Sequence, residues 1–375
     1  MITLEHAMNI IKNNEAFYFK EEILPNGEKF RFFNYRLASY NDFVKDKNAL
    51  ELRGLCFNLE TGERWFGLHK FFNDGENPFT MDEYCPWNDN DNIEVTEKLD
   101  GSLILPTLNK NKQLFLRSKS SFMSIQVQMA NQFVQQNKHY TKFILDMLNE
   151  GLYPIFEGIG YENQIVVPYN NPFELVLIQI RKLDTGEYLT YSEIKKLMKK
   201  YPDINYVKKV NYKLKDLRKL QETMTGIEGW IARNLQKPYE HQFRKIKTKW
   251  YYSLHRLLSP NELVENKIIE HIICETIDDI LANIHDERRK KVEEIIKKVN
   301  HYFNHSMQEI IKLYKIKQNM NRKDFALKYG KHPFFGIVMM AKNEDKLDKL
   351  LKNKILKDTK KLSKAKSFLK NINNI

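Results

Sequence analysis

Thr96-Glu97-Lys98-Leu99-Asp100-Gly101-Ser102 lies between the β-rich run Asn92-Ile93-Glu94-Val95-Thr96 and a second apolar run that begins at Leu103. The first strand is expected to end near Thr96, which puts Lys98 at a strand–turn junction, exposed and rigidly aimed. Taken alone the K-x-D-G pattern is weak, so its meaning depends on the rest of the chain.

Around this hairpin the first 255 residues alternate short β-rich runs with turn chemistry. Gln113-Leu114-Phe115-Leu116-Arg117 is one run, and Leu175 to Ile180 is another, followed by the turn Asp184-Thr185-Gly186 and by Tyr188-Leu189-Thr190. Helical patterns interrupt near Ser124 to Asn149 and Ser192 to Tyr201. The fold class is therefore α+β with antiparallel sheet, neither all-β nor regularly alternating.

Glycine marks the next boundary: after Gly229 there is none until Gly330, and after Pro260 the next proline is Pro333. Ile268, Ile269, Ile272, Ile273, Ile277 and Ile280 recur at spacings of three and four, as one face of a helix requires. Ser259 as N-cap and Pro260 at the first helical position give that region a start. Two domains are expected, an α+β domain over residues 1–255 and an all-α domain over 256–375.

The 375 residues carry 61 Lys+Arg against 48 Asp+Glu, a net charge of +13 on a 42 % apolar background. Whole-chain disorder is excluded, and no apolar run approaches the ~20 residues that cross a bilayer. Met1 to His6 lacks the basic start and apolar core of a signal peptide, so the cytoplasm is the expected compartment. Cys56, Cys85 and Cys274 are too widely spaced for a disulfide framework or a thiolate zinc site. His301 and His305, four apart on an expected helix, have no motif that supports a metal site. Residues 341–375 alone hold +7, with Leu347, Leu350, Leu351, Ile355 and Leu362 at helical spacing. That tail is either a helix packed on the body with a solvated Lys face or an RNA-contacting one. The basic run from Lys195 to Lys219 has the same two readings. Lys outnumbers Arg 48 to 13, which favours phosphate attraction over bidentate base reading.

A lysine amine is nucleophilic only when deprotonated, which takes desolvation or neighbouring cations. Phe243 to Trp250 supplies cations, because period-two alternation sends Lys245, Lys247 and Lys249 to one face of a strand. Three like charges there fit a triphosphate laid across them, or a merely solvated edge strand. Glu157 in Phe156-Glu157-Gly158 and Glu228 in Ile227-Glu228-Gly229-Trp230 are carboxylates in apolar strand context. Such groups are costly unless paired, metal-bound or facing a polar site.

In this order the motifs resemble the covalent nucleotidyltransferases, and most closely the phage-type RNA ligase 1 family. The resemblance rests on Phe33-Asn34-Tyr35, Leu52-Arg53-Gly54, Lys70-Phe71-Phe72-Asn73 running into Glu76-Asn77-Pro78-Phe79-Thr80-Met81, the Lys98 motif, Ser118-Lys119, Phe156-Glu157, Glu228-Gly229 and Lys245-Ile246-Lys247 with Trp250-Tyr251. It implies ATP as AMP donor, with Lys98 attacking the α-phosphate to form a lysyl-adenylate. It further implies that Lys245 and Lys247 hold phosphates, that Glu157 binds the ribose, and that Tyr35, Arg53 and Lys70 belong to the nucleotide site. Glu228 would serve catalysis, and Lys119 and Tyr251 the sealing of RNA, with cleaved tRNA anticodon loops as the leading substrate. Mg²⁺, with Mn²⁺ as the alternative, follows from triphosphate chemistry, and Asp278 in the pair Asp278-Asp279 either matches a metal ligand of the family's carboxyl-terminal domain or belongs to a plain solvated acidic pair on a helix surface. The chain departs from the pattern at Glu97, at Leu99 and at Ser120, where the family tends to have glycine. A DNA ligase or capping enzyme is the nearest rival, but Leu103 stands where those have arginine, and a glycine-free stretch does not suit their OB-fold. A catalytically inert RNA-binding protein on the same fold is the rival of another class.

Overall fold

Alternation along the strands decides the architecture. The computed structural model describes residues 2–36, 38–88, 91–257, 265–274, 277, 281 and 286–371. One sheet runs β1 (Phe17–Ile23), β2 (Lys29–Tyr35), β3 (Cys56–Asn58) and β4 (Arg64–Trp65) side by side, all antiparallel. A second is built from β5 (Phe72–Asn73), β6 (Ile93–Lys98), β11 (Gly229–Asn234) and β12 (Phe243–Lys247) in the order β5-β12-β11-β6, with β5 parallel to β12 and the other pairs antiparallel. The third, from β7 (Ser102–Leu108), β8 (Leu114–Arg117), β9 (Leu152–Ile159) and β10 (Glu174–Lys182), has the antiparallel order β10-β9-β7-β8.

The helix Lys138–Asn149 covers the third sheet because Tyr140, Phe143, Ile144, Met147 and Leu148 recur on one face and are buried. The segment 205–210 is irregular, yet it joins two sheets. Leu177 donates to the Asn205 carbonyl at 2.8 Å and Val207 to the Leu177 carbonyl at 2.9 Å, on β10. On β6, Glu97 donates to the Lys208 carbonyl at 3.1 Å and Val210 to the Val95 carbonyl at 2.9 Å.

The chain divides into two compact units, Met1–Tyr252 and Ser253–Ile375. The described part of the second unit contains helices and no strand. Ile268, Ile269, Ile272 and Ile273 are buried on the helix Glu265–Ile273, as their spacing requires. In the tail, helices Leu347–Asp358 and Leu362–Asn371 bury Leu347, Leu351, Ile355, Ala365 and Leu369. Ser259, Pro260, Asp278 and Ile280 lie outside the described residues. None of the described helices is long and apolar enough to cross a membrane.

Two local expectations change. β6 runs on through Lys98, and β7 starts at Ser102, so the turn is shorter and Lys98 ends a strand. Lys249 is not on the strand face: β12 stops at Lys247, and Lys249 opens the helix Lys249–Leu257, where its ammonium pairs with Glu222.

Arg117 is fully buried at the end of β8, with no carboxylate partner among the described residues. Its guanidinium donates to Thr107 Oγ1 at 3.0 Å, to the carbonyls of Gly54 at 2.8 Å and Phe66 at 2.7 Å, and to the Tyr153 hydroxyl at 3.2 Å. One side chain thus ties the loops after residues 53 and 65 to the third sheet. Arg117→Met strands those acceptors and should lower stability by about 3 kcal/mol, read from the urea midpoint. Arg117→Lys should recover little, since an ammonium cannot reproduce the planar fork.

Candidate active site

Three rows of side chains cross the second sheet on one face. Strand register sets Lys98, Gly229 and Lys247 in the first row, Thr96, Ile231 and Lys245 in the second, and Glu94, Arg233 and Phe243 in the third. The side chains of these rows line a cavity of about 510 Å³ together with Arg53, Lys119, Glu157 and Tyr251. Gly229 has no side chain between the two lysines, and none could be added. At φ +147° a Cβ would come 2.1 Å from the Ile246 carbonyl oxygen.

Glu228, 3 % exposed, immediately precedes Gly229. Its Oε2 lies 2.6 Å from the Lys98 ammonium and its Oε1 2.8 Å from that of Lys247. The Lys247 ammonium also stands over the Tyr251 ring, 4.8 Å from its centroid. Tyr251 in turn donates its hydroxyl to Asp100 Oδ1 at 2.7 Å. Asp100 Oδ2 accepts the backbone N–H groups of Val166 and Val167 at 2.7 and 2.8 Å, and the Asp100 N–H donates to the Tyr169 hydroxyl at 2.9 Å. Asp100 therefore fixes the turn behind Lys98 from three sides. Burial still pushes its carboxyl up, and burial likewise raises the Tyr251 hydroxyl.

Glu157 projects from β9 into the same cavity, where burial pushes its carboxyl up to about 7 against the pull of Lys98. Lys119 follows β8 and packs against Gly54, whose positive φ of +86° is open to glycine; a Cβ there would lie 3.2 Å from Lys119 Cα. Burial, then the neighbouring Arg53, lowers the Lys119 ammonium to about 8. Lys245 is held well below the usual lysine range, first by burial and then by Arg53, Lys70, Lys98 and Lys247. Lys70 and Tyr35 do not line the cavity; the Lys70 ammonium lies 4.6 Å from the Phe72 ring centroid and 5.6 Å from that of Tyr35.

At the end away from Lys98 the cavity is bounded by Ile178, Gln179, Tyr191, Ile194 and Val207. A bulge between Leu177 and Gln179 lets the consecutive residues Ile178 and Gln179 both reach it, which plain alternation forbids. Tyr191 opens the helix Tyr191–Met198, and its N–H is held by both oxygens of Glu94 at 2.9 and 3.0 Å. Arg233 donates to the carbonyls of Leu189 and Tyr188 at 2.5 and 3.0 Å. Glu94, Asp100, Gln179 and Arg233 were given no role from the sequence. For Asp100 its place in K-x-D-G was the available signal, while the others depend on register.

Among the described residues no three His, Cys, Asp or Glu groups gather to hold a metal, and that includes the surroundings of His301 and His305. The cavity is lined by lysines and by the carboxylates Glu94, Glu97, Asp100, Glu157 and Glu228, of which Glu94 and Asp100 are taken up by backbone N–H groups, a set that suits a cation carried mainly on nucleotide phosphates.

A family model described as RNA ligase matches residues 51–253. A putative RNA ligase of Thermovibrio ammonificans is 28 % identical over 327 residues, covering 84 % of this chain and 82 % of its own. An archaeal ATP-dependent RNA ligase structure aligns over 81 % of this chain and 78 % of that one, at 13 % identity and a TM-score of 0.47. A Naegleria gruberi RNA ligase mutant solved with ATP and Mn aligns at 20 % identity and a TM-score of 0.37, over 45 % of this chain and 52 % of that one. The match thus spans about half the length of the Naegleria chain.

The Glu157 carboxyl, raised from 4.5 to about 7, makes stability depend on pH. Between those values the folded protein keeps a proton that the unfolded chain releases, so stability falls as pH rises through the window. Lys119 changes charge only above it, from about 8 upward. Glu157→Gln should match wild type in urea midpoint near pH 4.5 and exceed it by about 2–3 kcal/mol at pH 8. A difference that does not change with pH would contradict this.

Proposed function

The chain belongs to the RNA ligase family, enzymes that join RNA ends, and on that premise we propose that it seals a 5′-phosphate to a 3′-hydroxyl using ATP, with Lys98 as the nucleophile. The observation that carries this reading is the row Lys98–Gly229–Lys247 with Glu228 bridging the two ammoniums at 2.6 and 2.8 Å inside a nucleotide-sized cavity. In the first step the Lys98 amine attacks the α-phosphorus of ATP. Glu228, the carboxylate in contact with Nζ, takes one proton from the Lys98 ammonium to free the amine; the P–N bond then forms as the bond to pyrophosphate breaks, and the second Nζ proton leaves with the pyrophosphate. Lys245 and Lys247 face the same cavity and hold the phosphate oxygens as charge grows on the leaving group. Glu157 holds the ribose hydroxyls, and Arg53 braces the phosphate end with Lys119 beside it. A Mg²⁺ or Mn²⁺ ion bound with the nucleotide would neutralise pyrophosphate charge, with Glu157 and Glu228, two of the carboxylates that line the cavity, to hold it.

In the second step a 5′-phosphate oxygen of RNA attacks the same phosphorus, AMP passes to the RNA, and Lys98 is freed. In the third a 3′-hydroxyl attacks the 5′-phosphorus, a phosphodiester forms and AMP leaves. Tyr251 supports these steps as a positioning residue, through Asp100 and the Lys247 ammonium. Lys70 and Tyr35 act from behind the cavity wall by shaping the Arg53 environment.

For the substrate we propose cleaved tRNA. What supports it is the second unit, whose helices Leu347–Asp358 and Leu362–Asn371 turn Lys357, Lys364 and Lys370 outward, with Lys361 exposed in the turn between them. Lys352 and Lys354 pair instead with Asp348 and Asp358 on their own helix, which leaves part of the tail charge simply solvated.

Intact-mass analysis after incubation with ATP and Mg²⁺ should show one AMP on wild type and none on Lys98→Ala. Glu228→Gln should form the adduct about 100-fold more slowly. If the substrate is cleaved tRNA, kcat/KM should be at least tenfold higher for a nicked anticodon stem-loop than for an unstructured oligoribonucleotide; equal values would contradict that choice.

A further inference from the structure

The irregular segment that joins β6 to β10 also carries uncompensated charge. Register pairs Lys209 with Thr96, and directly opposed residues share a face. Thr96 lines the cavity, and the Lys209 ammonium stands 5.9 Å from the ring centroid of Tyr191, another lining residue. Two separate contacts therefore put this ammonium at the cavity's edge. Thr96 is two residues before Lys98, about 7 Å along the strand.

Beyond Lys209 the segment continues Val210-Asn211-Tyr212-Lys213, with Lys208, Lys209 and Lys213 exposed and Tyr212 44 % exposed. Among the described residues no carboxylate lies within ion-pairing distance of Lys208, Lys209 or Lys213. Arg218, on the helix that follows, shows the contrast: it is spent on Asp74 at 2.6 Å and Asp82 at 2.7 Å. Three unpaired ammoniums with an exposed aromatic ring among them repel each other and favour a flexible polyanion whose bases can stack, which is single-stranded nucleic acid.

Building on the ligase reading, we propose that residues 208–213 are the docking edge for the 5′-phosphorylated RNA strand. Lys208, Lys209 and Lys213 would hold its phosphates, and Tyr212 would stack one base as the strand runs toward Lys98. This edge belongs to the RNA steps and not to the nucleotide step, so it separates the two kinetically.

The test is single-turnover transfer of AMP from pre-adenylated enzyme to a 5′-phosphorylated single-stranded oligoribonucleotide, titrated in RNA and in salt. The Lys208→Ala/Lys209→Ala/Lys213→Ala variant should raise the half-saturating RNA concentration about tenfold or more near 0.1 M salt. It should also flatten the log–log salt dependence by about 2, at about 0.7 per lost contact on a single strand. Tyr212→Ala should weaken RNA binding without changing the salt slope. Lys209→Ala and Lys213→Ala, each alone, should show part of the effect, which keeps the test open if the triple variant folds poorly. Unchanged RNA saturation and salt slope in variants that self-adenylate as wild type does would overturn the docking edge. Wild-type enzyme that forms the adduct but never passes AMP to RNA would overturn the ligase reading beneath it.

Discussion

Two lysine ammoniums are held on either side of Gly229 by one carboxylate, and the rest of the first unit is arranged around that contact. Lys98 and Lys247 face each other across a glycine because register sets both opposite residue 229. Like charges this close, in a partly desolvated cavity, need a counter-charge between them. Glu228 supplies it, and the backbone beside it leads onward: Thr248 donates its N–H to the Glu228 carbonyl at 3.0 Å and its hydroxyl to the Ile227 carbonyl at 3.0 Å. The same hydroxyl accepts the Tyr251 N–H at 3.0 Å and so starts the helix Lys249–Leu257. That helix start is what brings the Tyr251 ring under Lys247 and its hydroxyl to Asp100. The nucleophile, its carboxylate partner, the phosphate-facing lysine and the turn that carries the nucleophile are one connected network.

The second sheet divides its chemistry by face. On β12 the residues Phe243, Lys245 and Lys247 reach the cavity, while Arg244 and Ile246 turn away from it. Ile246 packs with Trp230, Trp87 and Leu217, and Arg244 is fully buried against Asp74 at 2.9 Å and Asp82 at 2.7 Å. One face therefore concentrates positive charge for a ligand and the other satisfies its charges internally. The bulge in β10 and the sheet-joining segment 205–210 complete the wall away from Lys98, the first by turning two consecutive residues inward and the second by sealing the gap between sheets.

What could be read from the sequence was chemistry carried by short motifs. Lys98, Glu157, Lys245 and Lys247 stood beside glycines or in alternation with apolar residues, and local pattern is enough to place them on strands; Glu228, read in the same way, sits in the loop one residue before β11. Local pattern also misled at Lys249, because the period-two spacing continues past the point where Thr248 starts a helix. It could not distinguish Tyr35 and Lys70, behind the wall, from Arg53 and Lys119, on it. Buried arginines were invisible for a different reason: Arg117, Arg181 and Arg233 look like surface cations until long-range carbonyls and, for Arg181, the Glu51 carboxylate at 2.6 Å are brought to them. The segment 205–210 has no periodicity at all, and its role comes from two strands distant in sequence.

The claim at the centre of this account is that Lys98, and none of the other lysines in the cavity, carries the nucleotide. Peptide mapping by mass spectrometry of protein incubated with ATP and Mg²⁺ tests it directly. The account predicts AMP on the peptide that contains Lys98, with Lys119, Lys245 and Lys247 unmodified. AMP on any of those three in place of Lys98 would contradict it.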